Sequence, residues 1–274
     1  RIMFSIANTN GKTIAFAGRV FKKEDPAKYV NSPETPIYSK SKILYGLWAS
    51  KEDIRKKEYA IVVEGYLDYL QLYQAGIKNV VAVSGTSFTE EHAKLIKRFC
   101  KKIYMAYDGD TAGVSAAIRA GYILIKFGLE PKIITIPTGK DPDDWVKEEG
   151  VKPFNSAIEK ASGLLEFHTQ NTRHDLSGPT GMSQFIQRVI TDLVQIEDPV
   201  LRELHTRSLA SITGVSEESI FQSLSSLLQK QNRRAEFKQK DPAPKLEKLL
   251  VEPSPLRRIE DELIQLCFVE DIKI

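Results

Sequence analysis

The chain reads Tyr107-Asp108-Gly109-Asp110-Thr111-Ala112-Gly113 directly after the apolar run Ile103-Tyr104-Met105-Ala106. An earlier stretch, Val62-Val63-Glu64-Gly65-Tyr66-Leu67-Asp68, has the same order of apolar residues, carboxylate, glycine and second carboxylate. Each stretch runs into apolar residues at helical spacing, so each predicts a buried strand followed by a helix. In open α/β sheets, the residues at the carboxyl ends of parallel strands line the ligand crevice. We therefore expect both acidic stretches at one edge of a sheet.

Carboxylates that meet at such an edge repel one another unless a divalent cation neutralises them. Mg²⁺ prefers carboxylate oxygens, keeps several waters and is commonly bound together with phosphates. The sequence therefore predicts a magnesium site and, with it, a phosphate-bearing substrate.

The central part of the chain, residues 58–150, alternates strand and helix patterns across short loops. This alternation predicts a parallel sheet with right-handed crossovers, so the fold class is α/β. The predicted strands are 59–63, 79–83, 102–107 and 131–136, and the predicted helices are 66–75, 89–99, 111–127 and 142–149.

Different patterns flank this core. Residues 1–57 predict a small α+β subdomain that begins with a hairpin of strands 1–7 and 12–20. After Pro153 the strand signal disappears, and residues 151–228 predict a helical bundle. Its predicted helices are 183–194, 200–210 and 216–228. The composition of residues 229–255 is typical of a flexible linker, and residues 256–274 resemble the start of a further, truncated domain.

The composition excludes several classes of protein. Of 274 residues, 42% are apolar and 27% are charged, as in globular domains. No apolar run approaches the ~20 residues of a membrane span, and no signal peptide is evident, so we expect a cytoplasmic protein. Two cysteines, Cys100 and Cys267, cannot form a disulfide framework or a cysteine-based zinc site. Because the chain opens on Arg1 and not on Met, we expect a piece of a longer protein.

The charge is distributed unevenly. Residues 1–57 hold twelve Lys or Arg against five Asp or Glu, which gives +7, whereas the whole chain carries +3. A basic region beside an acidic one suits a polyanion held over a metal site. A solvated lysine-rich surface explains the same charges.

Each acidic motif also has a structural explanation. Glu64 and Asp68 could cap or favour the first turn of the following helix, and Asp110 could be an N-cap. Asp141-Pro142-Asp143-Asp144 has the composition of a well-made helix start. Their common location at one sheet edge favours the metal site.

Other polar motifs are less informative. Ser84-Gly85-Thr86 could offer N–H groups to a phosphate or simply form a turn. The four histidines show no metal-ligand spacing, and no phosphate-binding P-loop sequence is present.

In order along the chain, four motifs resemble the TOPRIM domain, a Rossmann-like parallel sheet shared by primases, topoisomerases and certain nucleases. They are Glu64-Gly65-Tyr66-x-Asp68, Ser84-Gly85-Thr86, Asp108-Gly109-Asp110-x-x-Gly113 and Asp141-Pro142-Asp143. The flanking stretches narrow this resemblance to bacterial replicative DNA primases. These stretches include Phe16-Ala17-Gly18-Arg19-Val20, Lys28-Tyr29-Val30-Asn31-Ser32-Pro33 and Leu44-Tyr45-Gly46-Leu47.

The resemblance implies a DNA-directed RNA polymerase that makes RNA primers on single-stranded DNA from ribonucleoside triphosphates, using Mg²⁺ or Mn²⁺. It implies catalytic metal ligands at Glu64, Asp108 and Asp110. It adds Asp68, Asp141 and Asp143 to the acidic site. Nucleotide and template binding would fall to Arg19, Lys28, Tyr29, Asn31, Lys40, Gly85 and Thr86. The expected partner is the replicative helicase, in a bacterial replisome at the nucleoid, and the zinc-binding module of the family is expected to lie outside this chain.

Two rival functions remain at this point. One is a TOPRIM nuclease or topoisomerase-like enzyme, although no part of the chain suggests the separate tyrosine-bearing domain that strand cleavage requires. The other is a TOPRIM module that binds DNA without chemistry, which the complete acidic set disfavours.

Overall fold

The structure is a computed structural model and describes residues 1–21, 27–172, 176 and 178–240. Residues 1–228 form one compact unit, and residue 229 onward belongs to a second. Among the helices in the described part of the chain, none has the length and apolar character required to cross a membrane.

A three-stranded antiparallel sheet opens the chain. Its strands are β1 (Ile2–Ala7), β2 (Thr13–Arg19) and β3 (Tyr29–Asn31), in the order β1-β2-β3. Alternation along β1 buries Phe4 and Ile6 on one face, as the predicted hairpin requires. A short 3₁₀ turn (Lys40–Lys42) and helix α1 (Leu47–Lys57) follow.

The central α/β prediction is confirmed. Strands β4 (Tyr59–Val63), β5 (Val80–Ala82), β6 (Lys102–Met105) and β7 (Glu130–Ile133) run parallel in the order β5-β4-β6-β7. Helices α2 (Tyr66–Gln74), α3 (Glu90–Ile96), α4 (Thr111–Lys126) and α5 (Pro142–Glu149) alternate with them. The largest differences from the predicted boundaries in this core are at the ends of β6, β7 and α3, which stop at Met105, Ile133 and Ile96. The residues after β6 and β7 continue as loops toward the site.

Helices cover both faces of this sheet, so β4 and β5 are almost entirely buried, whereas β6 and β7 alternate buried residues with exposed or partly exposed ones. Helices α1, α3 and α4 pack on one face around Val62, Ile103 and Met105. Helices α2 and α5 pack on the other face around Ile61 and Val63. Successive residues of β4 thus enter opposite cores, which fixes the direction of each side chain that follows the strand.

The region after residue 150 is mainly helical, as predicted, with one exception. It contains α6 (Val151–Glu159), α7 (Leu164–Asn171), α8 (Gly178–Leu193), α9 (Pro199–Thr213) and α10 (Glu217–Lys240). The exception is a two-residue strand, β8 (Ser162–Gly163), which pairs antiparallel with β7 and adds an edge to the sheet. Helix α10 continues to Lys240, so residues 229–240 are helical where a flexible linker was expected, because the Gln- and Lys-rich sequence also favours helix. Residues 241–274, with the rest of the predicted linker and the truncated domain, lie outside the described residues.

Aromatic side chains join the N-terminal sheet to the parallel sheet. The ring of Phe4 stacks on that of Tyr66 with centroids 5.2 Å apart, and Tyr45 meets Tyr66 edge-on at 4.7 Å. Tyr45 also exchanges backbone hydrogen bonds of 2.8 and 3.0 Å with Ala82 at the edge of the parallel sheet. These contacts hold the basic region beside the carboxyl ends of the strands.

Candidate metal and nucleotide site

Glu64 and Asp68 occupy the turn between β4 and α2. Gly65, not Glu64, is the N-cap of α2, and its N–H donates to Asp68 Oδ2 at 2.8 Å. The second oxygen of Asp68 accepts from the N–H of Asp143 at 3.3 Å. Both oxygens of Asp68 therefore accept from backbone N–H groups, whereas among the described residues Glu64 Oε1 has only a long contact of 3.4 Å with the N–H of Asp108.

The turn after β6 brings Asp108 and Asp110 to the same edge. Asp110 caps α4 by accepting from the N–H of Gly113 at 2.7 Å, so its expected structural role is present. A Cβ atom at Gly109 would lie 2.2 Å from the carbonyl oxygen of Pro137, and one at Gly113 would lie 2.2 Å from that of Asp108. Only glycine fits at these two positions, and the tight packing fixes the Asp108 backbone.

The third acidic motif starts α5. Asp141 caps the helix through a 2.6 Å bond from the N–H of Asp144, and Pro142 follows at the first helical position. Asp143 is buried, and its Oδ2 lies 2.6 Å from Lys147 Nζ. The helix-start interpretation of this motif is therefore confirmed, and the unused carboxylate oxygen of Asp141 remains available to a ligand.

Burial and mutual repulsion disfavour the charged state of the central acids. Burial, together with the carboxylates of Glu64, Asp141 and Asp110, raises the pKa of Asp108 to about 6. Burial also raises the pKa of Asp68 to about 7 and that of Glu64 above its usual value. Among the cations near these groups, Lys28 opposes the shift at Asp108 and Arg119 opposes it at Glu64.

This arrangement fits a divalent cation. The donors are carboxylate oxygens with raised pKa values, so a bound cation would relieve their repulsion. Among the described residues, however, the group whose ligand atoms lie within 4.8 Å of one another comprises Asp141, Asp143 and Asp144. The predicted ligands Glu64, Asp108 and Asp110 face the same edge without forming so tight a group.

The predicted basic residues lie on the N-terminal side of this edge. Arg19 donates to the hydroxyl of Tyr29 at 3.1 Å, with its guanidinium carbon 5.5 Å from the ring centroid. Lys28 is exposed and acts electrostatically on Asp108. The Oδ1 atom of Asn31 accepts from Tyr66, which ties β3 to α2. Lys40 is partly buried, and its carbonyl oxygen lies 2.9 Å from His92 Nε2.

The turn after β5 reaches the same edge. The N–H of Ser84 donates to the carbonyl oxygen of Glu64 at 2.9 Å. Both Ser84 and Gly85 have positive φ angles, 54° and 82°, and a Cβ atom at Gly85 would lie 3.1 Å from Asn31 Nδ2. Gly85 is exposed and Thr86 partly buried, so this turn lies between the predicted basic residues and Glu64.

Three residues near the site were not predicted from the sequence. Asp144 was noted only as a first-turn acid, although its carboxylate belongs to the same close group as those of Asp141 and Asp143. Lys147 carries an i,i+4 signal toward Asp143 that was available in the sequence. Arg119 acts on Glu64 from the middle of α4, and no local sequence pattern indicates that contact.

Together, the parallel sheet and its acidic edge define a TOPRIM-type protein, and comparisons with known families agree. A family model described as Toprim-like matches residues 61–146. The N-terminal domain of the DNA primase catalytic core matches residues 1–51, and the DnaB-helicase binding domain of primase matches residues 168–218.

Individual relatives extend the match along the chain. The DNA primase of Listeria monocytogenes is 36% identical over 228 residues, covering 82% of this chain and 36% of the relative. That of Clostridium acetobutylicum is 37% identical over 239 residues, covering 86% of this chain and 39% of the relative. The chain thus spans well under half the length of these curated relatives.

Solved structures give the same result. A DNA primase domain from Pseudomonas aeruginosa is 37% identical with a TM-score of 0.73, covering 81% of this chain and 71% of that one. A DnaG primase catalytic domain bound to single-stranded DNA is 34% identical with a TM-score of 0.70, covering 79% and 70%. The chain belongs to the bacterial DnaG-type DNA primase family.

Proposed function

We propose that this chain carries the nucleotidyl-transfer site of a DNA primase, which makes RNA primers on single-stranded DNA from ribonucleoside triphosphates. One observation carries the proposal. Carboxylates from the turns after three neighbouring strands, β4, β6 and β7, meet at one sheet edge beside a basic region, in a chain of the primase family.

Glu64, Asp108 and Asp110 are the proposed catalytic ligands of Mg²⁺, for which Mn²⁺ can substitute, and Asp141 and Asp143 complete the acidic site. Asp68 has both oxygens on backbone N–H groups, so we assign it the role of holding the β4–α2 turn against the start of α5. When bound, the cations would activate the primer 3′-hydroxyl and neutralise charge on the pyrophosphate that leaves.

The remaining proposed roles belong to groups that bind and orient polyanions. Lys28, near Asp108, would contact a triphosphate, and the paired side chains of Arg19 and Tyr29 would offer a cation and a ring face to the template. Lys40 would add a phosphate contact. Gly85 and Thr86 would present backbone N–H groups at the edge beside Glu64.

The proposed domain boundaries are those predicted from the sequence, except that the linker begins later. Residues 1–57 form the basic subdomain, 58–150 the TOPRIM catalytic domain and 151–228 the helical bundle. The linker would begin after α10 ends at Lys240, and residues 256–274 would begin a further domain. Because the helicase-binding family model matches residues 168–218, we place a helicase contact on the bundle, in addition to the expected one in the truncated domain. Primer synthesis at a replisome would place the protein in the bacterial cytoplasm, at the nucleoid.

Primer synthesis by the purified chain tests this function. The reaction contains single-stranded DNA, labelled ribonucleotides and Mg²⁺ or Mn²⁺, beside the double variant Asp108→Asn, Asp110→Asn and the control Asp144→Asn. We expect short RNA products from the wild type and from the control and none from the double variant. Equal synthesis by all three proteins would refute the assigned site. Metal-dependent cleavage of labelled DNA, without synthesis, would instead indicate a nuclease.

A further inference from the structure

A cluster of cations lies at the edge of the parallel sheet opposite the acidic site. It is formed by the end of α1 and by the segment that runs from the end of α3 to the start of β6. We call it the rear basic cluster, and its members are Lys56, Lys57, Lys97, Arg98, Lys101 and Lys102. Residues 56–58 and 97–102 hold these six cations against one acid, Glu58, which gives a formal charge of +5.

The two segments of the cluster are neighbours in the fold. Tyr59, which begins β4, lies in parallel register with Lys102, which begins β6. The guanidinium carbon of Arg55 lies 4.9 Å from the centroid of the Phe99 ring, so the last turn of α1 contacts the loop after α3. The acidic site follows the opposite ends of the same strands. Since β4 has five residues, it holds the two edges roughly 16 Å apart.

The charges of the cluster are not neutralised within the described part of the chain. None of its six cations forms an ion pair there with Asp or Glu. Glu130, which is opposite Lys102 in the register of β6 and β7, lies 3.6 Å from Lys132 instead. Lys57 and Lys97 donate to neutral oxygens at 3.1 and 2.6 Å. The other four are at least partly exposed and make no hydrogen bond to the described residues: Lys56, Arg98, Lys101 and Lys102.

Helix ends explain only part of this cluster. A cation in the last turn of a helix interacts favourably with the helix dipole, which accounts for Lys56 and Lys57 in α1 and for Lys97 at the end of α3. Lys101 and Lys102 lead into a strand, where no helix dipole favours a cation. Like charges at one edge repel one another unless an anion neutralises them. The cluster therefore indicates a polyanionic partner.

The surface of the cluster favours a nucleic acid as that partner. Protein partners and membranes commonly cover exposed apolar side chains as well as charges. Among the described residues, none of the exposed large apolar side chains lies in residues 56–58 or 97–102. The phosphates of a nucleic-acid strand, in contrast, are bound by Lys and Arg alone, without contacts to the bases.

We propose that the rear basic cluster binds the phosphate backbone of a nucleic-acid strand, independently of base sequence. This contact is separate from the acidic edge and from the basic residues of the N-terminal sheet. It gives the protein a second surface on which a strand is held. The inference does not depend on primer synthesis, because it concerns binding alone.

The salt dependence of binding to an oligothymidylate of about 30 nucleotides tests this proposal. Fluorescence anisotropy in EDTA follows binding to the full chain without metal or nucleotide. The cluster variant replaces the four cations that have no partner: Lys56→Gln, Arg98→Gln, Lys101→Gln and Lys102→Gln. Loss of up to four phosphate contacts should lower the magnitude of the slope of log affinity against log salt by up to about 3. At about 50 mM salt, binding should weaken at least about tenfold.

A variant with the same change in net charge is the matched control. It replaces three lysines and one arginine that are exposed on other parts of the chain: Lys152→Gln, Lys160→Gln, Arg188→Gln and Lys230→Gln. Its slope should change by less than about 1, because it removes no contact of the cluster. Circular dichroism checks that both variants fold. The threefold variant without Lys102→Gln serves if the fourfold cluster variant does not fold.

A second background separates the cluster from the proposed template contacts. The four cluster changes, added to a protein that carries Lys28→Gln and Lys40→Gln, should cause a similar further loss, because distant sites act additively. No further loss in that background would overturn the proposal. A wild-type slope in the cluster variant, or equal reductions in the cluster variant and the matched control, would also overturn it.

Discussion

The acidic edge contains two kinds of carboxylate. Asp141 and Asp143 begin α5, where one caps the helix and the other pairs with Lys147 at 2.6 Å. Glu64 and Asp108 follow β4 and β6, and within the described part of the chain the side chain of Glu64 has a single hydrogen bond, a 3.4 Å contact with the N–H of Asp108. The helix-start acids thus have local partners, whereas the strand-end acids repel one another.

This difference separates structural from chemical roles. A helix start explains Asp141 and Asp143 without a ligand. Arg119 near Glu64 and Lys28 near Asp108 oppose the effect of burial, but the pKa of each carboxyl stays above its usual value. Groups held in an unfavourable charge state at a sheet edge are candidates for function. We therefore assign the chemistry to the strand-end acids, together with Asp110, which also caps α4, and orientation to the acids at the start of α5.

The largest expected effect is on primer synthesis, and it distinguishes a strand-end acid from an acid at the start of α5. Asp108→Asn should lower primer synthesis by about 1,000-fold, because loss of a metal ligand removes several kcal/mol of transition-state stabilisation. Asp144→Asn, at the exposed helix start, should stay within about tenfold of the wild type, as expected of an outer partner. Single-nucleotide incorporation at saturating Mn²⁺ measures both. Similar losses in the two variants would remove the distinction.

The second effect tests the backbone that holds Asp108. Gly109→Ala places a methyl group 2.2 Å from the carbonyl oxygen of Pro137 and should cost roughly 1–3 kcal/mol of unfolding free energy. Primer synthesis should fall as Asp108 moves. Gly163→Ala is the control, since its φ is −65° and no atom lies within 4 Å of the added Cβ. Urea unfolding that shows equal stability for both variants would contradict the close packing.

A smaller effect concerns the partner of Asp143. Lys147→Met removes the cation from a buried carboxylate and should lower primer synthesis about tenfold, as expected for an outer partner of a metal site. The control Lys94→Met disrupts the pair with Glu91, which is exposed to solvent and contributes little to stability. Initial rates of primer synthesis distinguish them. Unchanged rates for Lys147→Met would show that Asp143 has only a structural role at the start of α5.

The smallest effect is a pH dependence of stability. Because burial raises the pKa of Asp108 to about 6, the folded protein holds this proton more tightly than the unfolded chain. Its contribution to stability is therefore full below about pH 4 and is lost as pH rises through about 6. Without metal, Asp108→Asn should raise the melting temperature by a few degrees at pH 7.5 and by less at pH 5.

The variant and the wild type must be compared at each pH, because the buried histidines change stability with pH in the direction opposite to Asp108. Burial lowers the pKa of His168 to about 4, so its contribution grows as pH rises from about 4 to 6.5. Comparing Asp108→Asn with the wild type at each pH cancels this contribution. An equal gain in melting temperature at both pH values would show that the charged state of Asp108 does not destabilise the folded protein.

Most of the fold and part of the acidic site were predictable from the sequence. Apolar runs that end in carboxylates gave the parallel strands, and the short loops between them gave the edge at which Glu64 and Asp108 meet. The helix starts at Asp110 and Asp141 were also recognisable, because N-cap chemistry is local.

The remaining features depend on contacts between distant residues. The pairing of β8 with β7 rests on two residues, Ser162 and Gly163, which have no strand signature. Helix α7 contributes Phe167 to the core beside α4, and no periodicity in the sequence reveals that packing. Both oxygens of Asp68 are taken by backbone N–H groups, one of them 75 residues away, which spacing alone could not show.

Mn²⁺ binding, followed by electron paramagnetic resonance without nucleotide or DNA, tests the division between the two sets of acids most directly. The proteins are the wild type, Glu64→Gln and Asp144→Asn, each confirmed as folded by circular dichroism. We predict that Glu64→Gln lowers the Mn²⁺ affinity by at least about tenfold, whereas Asp144→Asn changes it less. Full affinity in Glu64→Gln, together with loss in Asp144→Asn, would place the metal at the helix start and contradict this assignment.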